Sequence, residues 1–401
     1  MKVALLSRAA HPLHGPGGLE RAVYHLARHL RECGAEPVLF TRPSSRSEPF
    51  PGEVVAVRYG LRAGGAHGRV LDRTLHYPAF ALRLGDAVAP RVRSGELHVV
   101  HAQGLAALGY ARLRRRDASL RAPLVVNPQG MEEHKTSGLK RLALARLRRL
   151  SREAARLADR VIATDTASVD EVRRLLGVPP EKIVVLPNGI DAEEIRAATP
   201  ADPGRTVRDA LPGLEAASPL LLSVGRLEAY KGFGDVVDAL LRLHARGVLP
   251  PRWVWAVVGE GPFGQRLRRR AAELRPHVTF VGRAPEPLLH ALYERADVFV
   301  HATRYEGSSL VTLEAMAHGL PVVATRAGGI PDKVRDRETG RLVEPGDVGG
   351  LADAIDTLAD DAALRRACGE RARERALSAF AWPALAARTV ALYEELLRER
   401  R

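Results

Sequence analysis

Cysteine is nearly absent: Cys33 and Cys368 are the only two in 401 residues. They lie too far apart in sequence to build a disulfide framework or a metal-ligand cluster, and a reducing compartment suits them. No His or Cys spacing suggests zinc. Aromatic residues make up only 5% of the chain. No basic tract is interleaved with rings that could stack on bases, which argues against nucleic acid as a partner. No run of eighteen apolar residues occurs, so nothing reads as a membrane span. The apolar stretch 3–6 after Met1 and Lys2 is too short for the core of a secretion signal and reads as a buried first strand, so a cytoplasmic location is expected.

Positive charge is what the chain has in excess. Lys and Arg number 61 against 47 Asp and Glu, a net charge of +14, and the pI is near 10.4. Such a field favours anionic partners, among them acidic lipid headgroups and phosphorylated substrates. With 46% hydrophobic and 27% charged residues, the composition is that of a globular protein. Its length exceeds what one core usually organises, so two domains are expected.

Short apolar runs at 3–6, 37–40, 98–101, 124–127, 161–164 and 183–186 alternate with amphipathic stretches. That pattern marks a parallel sheet covered on both faces, an α/β domain over residues 1–190. Residues 191–218 are rich in Ala, Pro and Gly without clear periodicity and read as a linker. A second alternation, with strands at 220–224, 253–258, 278–281, 298–301, 321–324 and 341–343, predicts a second Rossmann-like domain over 219–380. Its ligands are expected at the carboxyl ends of the strands. The last segment, 381–401, reads as a helix with Leu385, Val390, Tyr393 and Leu397 on its apolar side, able to pack back toward the first domain.

The segment Arg304-Tyr305-Glu306-Gly307-Ser308-Ser309-Leu310-Val311-Thr312-Leu313-Glu314 lies between two predicted strands. Ser308 and Ser309 after a flexible Gly307 are natural N-cap residues, so a helix is expected to begin there with its free amides at the strand end, a cradle for phosphate. Glu306 precedes that helix and Glu314 lies about two turns into it. One carboxylate can meet a sugar hydroxyl and the other a ribose. Earlier in the same domain, Gly225-Arg226-Leu227 and then Lys231-Gly232 follow a strand. A fixed guanidinium and a mobile ammonium over one phosphate pair can neutralise a leaving diphosphate. Glycine turns close the next two strands at Gly259-Glu260-Gly261-Pro262 and at Gly282-Arg283. In the first domain Gly17-Gly18-Leu19-Glu20-Arg21 follows the first strand and opens a helix, without the dinucleotide G-x-G-x-x-G pattern.

Taken together, these motifs resemble those of the family-4 retaining glycosyltransferases (glycosyl transferases group 1) of GT-B fold, over nearly the whole chain. The segment 306–314 is similar to the E-x7-E motif of that family, Arg226 and Lys231 to its basic pair, and 17–21 to its G-G-x-E-R signature. The resemblance implies two Rossmann-like domains facing a central cleft, the first binding the acceptor and the second the donor. It implies a retaining glycosyltransferase that moves a sugar from a UDP-sugar or GDP-mannose to a hydroxyl of a glycan, a lipid-linked or a small-molecule acceptor. Cell-envelope polysaccharide synthesis is one setting it suggests. Arg226, Lys231 and Glu306 are the expected catalytic residues. Gly17, Gly18, Arg283, Gly307, Ser308, Ser309, Leu310 and Glu314 are expected at the donor, with the nucleobase received by the loop at 282–283. The Asp-x-Asp metal motif of single-domain glycosyltransferases is missing from the chain, and neither a metal nor a cofactor is expected.

One position departs from the family pattern. Where a His-Gly pair is common, this chain reads Asn127-Pro128-Gln129-Gly130, with His134 four residues later. Gln129 can hydrogen-bond a sugar hydroxyl but cannot act as a base. Transfer by a front-face route, with the leaving phosphate taking the acceptor proton, needs no base there. His101, Gln129 and His134 are the candidate acceptor or sugar contacts, and a structural role is open for both histidines. The stretch 59–80, with Gly64, Gly65, Tyr77 and Phe80, is an expected acceptor-facing loop. The leucines and arginines of 138–160, with Arg112 and Arg114–Arg116 nearby in sequence, suit either a sheet-covering helix or the surface of an anionic membrane. The protein would then sit peripherally at the inner face of the membrane. Two other readings remain: an epimerase or hydrolase of nucleotide sugars on the same fold, and a silent nucleotide-sugar-binding protein.

Overall fold

The computed structural model describes residues 1–15, 17–46, 48–60, 72–129, 131–134 and 138–400. The chain forms two compact units. One comprises Met1–Asn188 with Trp382–Arg401, the other Gly189–Ala381. Among the described residues no helix is long and apolar enough to cross a membrane.

The first unit is built on seven parallel strands: β1 (Lys2–Leu6), β2 (Glu36–Thr41), β3 (Glu53–Ala56), β4 (Val99–Gln103), β5 (Leu124–Asn127), β6 (Arg160–Ala163) and β7 (Ile183–Val185). Their order in the sheet is β3-β2-β1-β4-β5-β6-β7. Successive side chains in a strand point to opposite faces, and the two cores follow that parity. Ala4, Leu6, Val38, Phe40 and Val100 pack with Phe80, Leu84 and Tyr110 on one side. Val3, Leu5, Leu39 and Val99 pack on the other with Leu26 and Leu30 of the helix Gly18–Glu32. The carboxyl-terminal helix Trp382–Arg398 belongs to this second layer through Trp382, Leu385, Leu392, Tyr393 and Leu396. Strand β3 has no counterpart among the apolar runs read from sequence. It is a four-residue edge strand with Glu53, Val54 and Ala56 exposed, so burial left little mark on its composition.

The second unit repeats the plan with β8 (Leu220–Val224), β9 (Val254–Val258), β10 (Val278–Gly282), β11 (Val298–His301), β12 (Val322–Thr325) and β13 (Gly340–Val343). These are ordered β10-β9-β8-β11-β12-β13, all parallel. Residues 191–218 are not a linker. They form the helices Ala192–Ala198 and Pro203–Ala210 and a short turn, Leu214–Ala216. Asp191 caps the first helix through the amides of Glu193 (2.9 Å) and Glu194 (3.1 Å), and Asp202 caps the second through Arg205 (2.8 Å) with Pro203 at its first position. Val207 and Leu214 are buried in the same core as Leu220 and Leu292.

Candidate active site

In an open parallel sheet, ligands bind beyond the carboxyl ends of the strands where the strand order reverses. In the second unit that point lies between β8 and β11. The loop after β8 carries Gly225, Arg226 and Lys231, and the loop after β11 carries residues 302–309. The two loops are joined by their backbones: the Arg304 amide donates to the Tyr230 carbonyl at 2.8 Å, and the Thr303 hydroxyl reaches the same oxygen at 3.3 Å. Gly232, at φ +73, lies so close to β11 that an added Cβ would fall 1.7 Å from the Ala302 carbonyl oxygen. A third loop closes in from β12, where the Thr325 hydroxyl donates to the Thr303 carbonyl. Arg304 is held by a two-pronged contact to Asp235 (3.1 and 2.9 Å) at the start of the helix Phe233–Arg246.

The stitched loops bring two titratable groups, Lys231 and His301, together around one carboxylate. Lys231 Nζ donates to Glu306 Oε2 at 2.5 Å and His301 Nε2 to the same oxygen at 3.0 Å. The Lys231 and Glu306 side chains are 15% and 13% exposed, and that of His301 is 3% exposed. Burial alone would raise the Glu306 carboxyl. The His301 ring and then the Lys231 ammonium overcome that effect and hold it down at about 2. Glu306 is therefore a permanent anion that accepts hydrogen bonds, and it cannot donate a proton at any ordinary working pH. His301 was not among the residues expected from sequence. Its position at the last residue of β11, inside the apolar run, gave no sign of a polar role.

Arg226 reverses one expectation. Its side chain is 74% exposed and touches only Tyr230 Oη (3.2 Å) and Glu228 (3.8 Å) among the described residues. Lys231 is the fixed cation and Arg226 the free one, because Lys231 has a buried carboxylate partner and Arg226 does not. Tyr230 and Tyr305, both partly exposed, stand beside them in an edge-to-face pair 6.5 Å apart.

The helix Leu310–Ala317 begins just past Glu306 with Ser309 at its N-cap. Neither serine caps it through its side chain. Ser309 Oγ bonds Thr312 Oγ1 at 2.9 Å, and Ser308 Oγ is a buried hydroxyl with no partner among the described residues. The first amides of this helix, which have no partner within it, are thus not capped by a side chain among the described residues. Gly307 is exposed in front of them and Leu310 is half-buried. Farther along this helix, Glu314 Oε2 accepts a hydrogen bond from Tyr293 Oη at 3.0 Å. Tyr293 is fully buried, and burial followed by the Glu314 charge raises its hydroxyl well above the usual range. Arg283, beyond β10, is exposed.

In the first unit the corresponding point lies between β1 and β4. Arg8, after β1, lies over the Tyr77 ring (5.1 Å) and meets Asp72 at 3.4 Å, while Tyr59 donates to the other Asp72 oxygen at 2.9 Å. Gln103, ending β4, accepts from Gln129 Nε2 at 3.3 Å, and its carbonyl accepts from Tyr77. Gln129 and Met131 both have positive φ, at +53 and +48, a conformation held where surrounding structure imposes it and one that concentrates at functional sites. Arg8, Asp72 and Gln103 had not been singled out from sequence; Arg8 lies two residues past the first strand, which is the one signal it carried. Of the expected acceptor loop, residues 61–71, with Gly64 and Gly65, lie outside the described residues, as does Gly130. Gly17 caps the helix Gly18–Glu32, and the Glu20 carboxylate folds back over it.

Neither candidate histidine lies open to a ligand. His101 is 2% exposed, with Nδ1 2.6 Å from Tyr393 Oη, and burial lowers its pKa to about 4. It points into the layer under the carboxyl-terminal helix because residue 101 shares the parity of Val99. The His134 side chain is 1% exposed, with Nε2 3.8 Å from the Glu133 carboxylate, and both ring nitrogens are buried without a hydrogen-bond partner among the described residues.

Comparison with known proteins matches these two units to two family models: "Glycosyltransferase Family 4" over residues 16–194 and "Glycosyl transferases group 1" over residues 211–375. A glycogen synthase of Mycobacterium tuberculosis is 31% identical over 396 residues, covering 94% of this chain and 91% of that protein. A D-inositol 3-phosphate glycosyltransferase of Kineococcus radiotolerans is 31% identical over 452 residues, covering 100% and 96%. Among solved structures, Anabaena HepE in complex with UDP superposes with a TM-score of 0.72 at 21% identity, covering 98% of this chain and all of that one.

Proposed function

Since the chain belongs to the family-4, group 1 glycosyltransferases of GT-B fold, we propose that it moves a sugar from a nucleoside-diphosphate donor to an acceptor hydroxyl with retention of the anomeric configuration. The observation that carries this reading is the buried Lys231–Glu306–His301 group at the switch point of the second unit. A UDP-sugar is the favoured donor class, in keeping with the UDP bound by the HepE structure.

In this mechanism the diphosphate meets Arg226, Lys231 and the free amides opening the helix Leu310–Ala317. These supply the positive charge that a divalent cation would otherwise provide. The bond from the anomeric carbon to the phosphate oxygen breaks, and its electron pair leaves with the diphosphate. The acceptor oxygen bonds to the same face of that carbon, and its proton passes to the departing phosphate oxygen. Glu306, ionised throughout, accepts from a sugar hydroxyl and stabilises positive charge developing on the ring. Glu314, with one oxygen tied to Tyr293, presents its carboxylate to the ribose hydroxyls. On the acceptor side, Arg8, Asp72, Gln103 and Gln129 offer the mixed donors and acceptors that a polyhydroxylated molecule requires.

A donor panel tests the reading. UDP-, ADP- and GDP-sugars are screened for thermal stabilisation, and the stabilising donor is incubated with glycan and polyol acceptors. Transfer of sugar with release of the nucleoside diphosphate is expected. Epimerised donor, free sugar without transfer to any acceptor, or binding with no turnover would each replace it by one of the two rival readings.

A further inference from the structure

The described residues of the first unit carry a groove of about 640 Å³ where the helices Tyr77–Arg93, Leu108–Arg116 and Ala145–Arg156 meet. Its volume is that of a small-molecule pocket, roughly 300 to 1,000 Å³. Leu75, Pro78, Leu82, Leu108 and Leu150 give it an apolar lining, and Arg112, Arg146 and Arg149 stand among them. Isolated exposed leucines are ordinary on a protein surface. Here the three exposed leucines among the described residues all belong to this region. Leu75 (48% exposed) and Leu82 (40%) line the groove, and Leu142 (75%) lies on the helix Gly138–Ala143 that leads into Ala145–Arg156.

The charge around the groove has one sign. Its one lining acid, Glu153, is consumed by a two-pronged contact from Arg112 at 2.8 and 2.7 Å. Arg146 and Arg149 are exposed and have no ion-pair partner among the described residues. Arg115, Arg116 and Arg141 are exposed on the neighbouring helices. Unpaired guanidinium groups beside exposed leucines match a ligand that is anionic at one end and hydrocarbon at the other. A second copy of the chain, itself at net +14, would bring the same arginines against these. A nucleic acid would leave the leucines without a counterpart.

We propose that this groove docks the protein on a membrane of anionic phospholipid, with Leu75, Leu82 and Leu142 entering the acyl boundary and Arg146 and Arg149 on the phosphates. It does not depend on the donor chemistry of the second unit.

The test is sedimentation of the full chain with vesicles of phosphatidylcholine alone or with 30–40% phosphatidylglycerol, about 0.1 M salt being compared with 0.5 M. Binding to the anionic vesicles and release at the higher salt are expected. Arg146→Ala with Arg149→Ala should weaken it about thirtyfold, from roughly fivefold per arginine near an anionic surface. Leu75→Ser with Leu82→Ser should weaken it at least tenfold. The melting temperature of each variant is measured without ligand and should stay near the wild-type value, which separates lost docking from lost folding. Failure of the wild-type protein to bind, equal binding to both vesicle types, or undiminished binding by both double variants would overturn the proposal. So would a dimer in light scattering that the leucine variants dissociate, since the groove would then be a protein interface.

Discussion

Gly328 has no side chain to offer a substrate, yet its replacement by alanine is expected to cost more activity than stability. The residue sits at φ +51, and a Cβ placed there would lie 1.8 Å from the Glu306 carbonyl oxygen and 2.8 Å from its carbonyl carbon. Reaching even 3.0 Å requires the Glu306 loop to retreat by more than ~1 Å, since both colliding atoms are backbone. Displacement of that size at a group that positions a reacting substrate costs about a hundredfold in rate. The left-handed conformation itself costs a non-glycine residue roughly 1–2 kcal/mol, or about 2–8 °C in Tm for a unit of this size. Gly319 provides the control. It follows the helix Leu310–Ala317 at φ +77, but the nearest atom to its added Cβ is 3.8 Å away. Gly319→Ala should show the Tm loss with nearly normal kcat/KM, and Gly328→Ala should show the Tm loss with the hundredfold fall. Steady-state kinetics and thermal unfolding of both variants decide it. A Gly328→Ala enzyme within threefold of wild type, or a Gly319→Ala enzyme equally impaired, would refute the reasoning.

Lys231→Met removes the cation that helps hold Glu306 ionised, so kcat should fall by about 10²–10³; the acid limb of the pH–rate profile should move upward from its wild-type position, because the Glu306 carboxyl loses one of the two groups keeping it at about 2. Glu306→Gln should chiefly lower kcat, by about ten- to a hundredfold for one charge-assisted hydrogen bond made in the transition state. Glu314→Gln should chiefly raise the donor KM, and Tyr293→Phe should shift the same constant by a smaller factor, through Glu314. His101 predicts acid sensitivity. Its pKa is about 4 in the folded chain against 6.5 for a free histidine, so the unfolded state binds the proton first and stability drops as pH falls from about 6.5 to 4, by ~3 kcal/mol in all. His101→Asn should flatten that part of the Tm-against-pH curve.

The sheets were legible because their strands are buried on both faces and read as apolar runs; twelve of them lie within a residue or two of the predicted ranges. The thirteenth, β3, is an edge strand with little burial. Residues 191–218 were misread because Ala, Pro and Gly were weighed above the caps Asp191 and Asp202-Pro203, the signals that start the helices there. At the site, Lys231 and Glu306 were readable by type and spacing. Which cation is fixed was not, since that depends on a carboxylate 75 residues away. His301 and Tyr293 lay hidden inside apolar segments, and their roles come from what faces them across the fold. Gly328 was passed over for the same reason: its need for glycine arises from the Glu306 backbone, which sequence does not place beside it.

The most direct test of the central claim follows the anomeric carbon. The donor selected by thermal stabilisation is incubated with its acceptor in excess EDTA, and the new linkage is read from the anomeric proton coupling by NMR. Undiminished transfer with the donor's own anomeric configuration is predicted, because Arg226, Lys231 and the amides opening the helix Leu310–Ala317 carry the diphosphate charge. Loss of turnover in EDTA restored by magnesium or manganese, or a product of inverted configuration, would contradict the account.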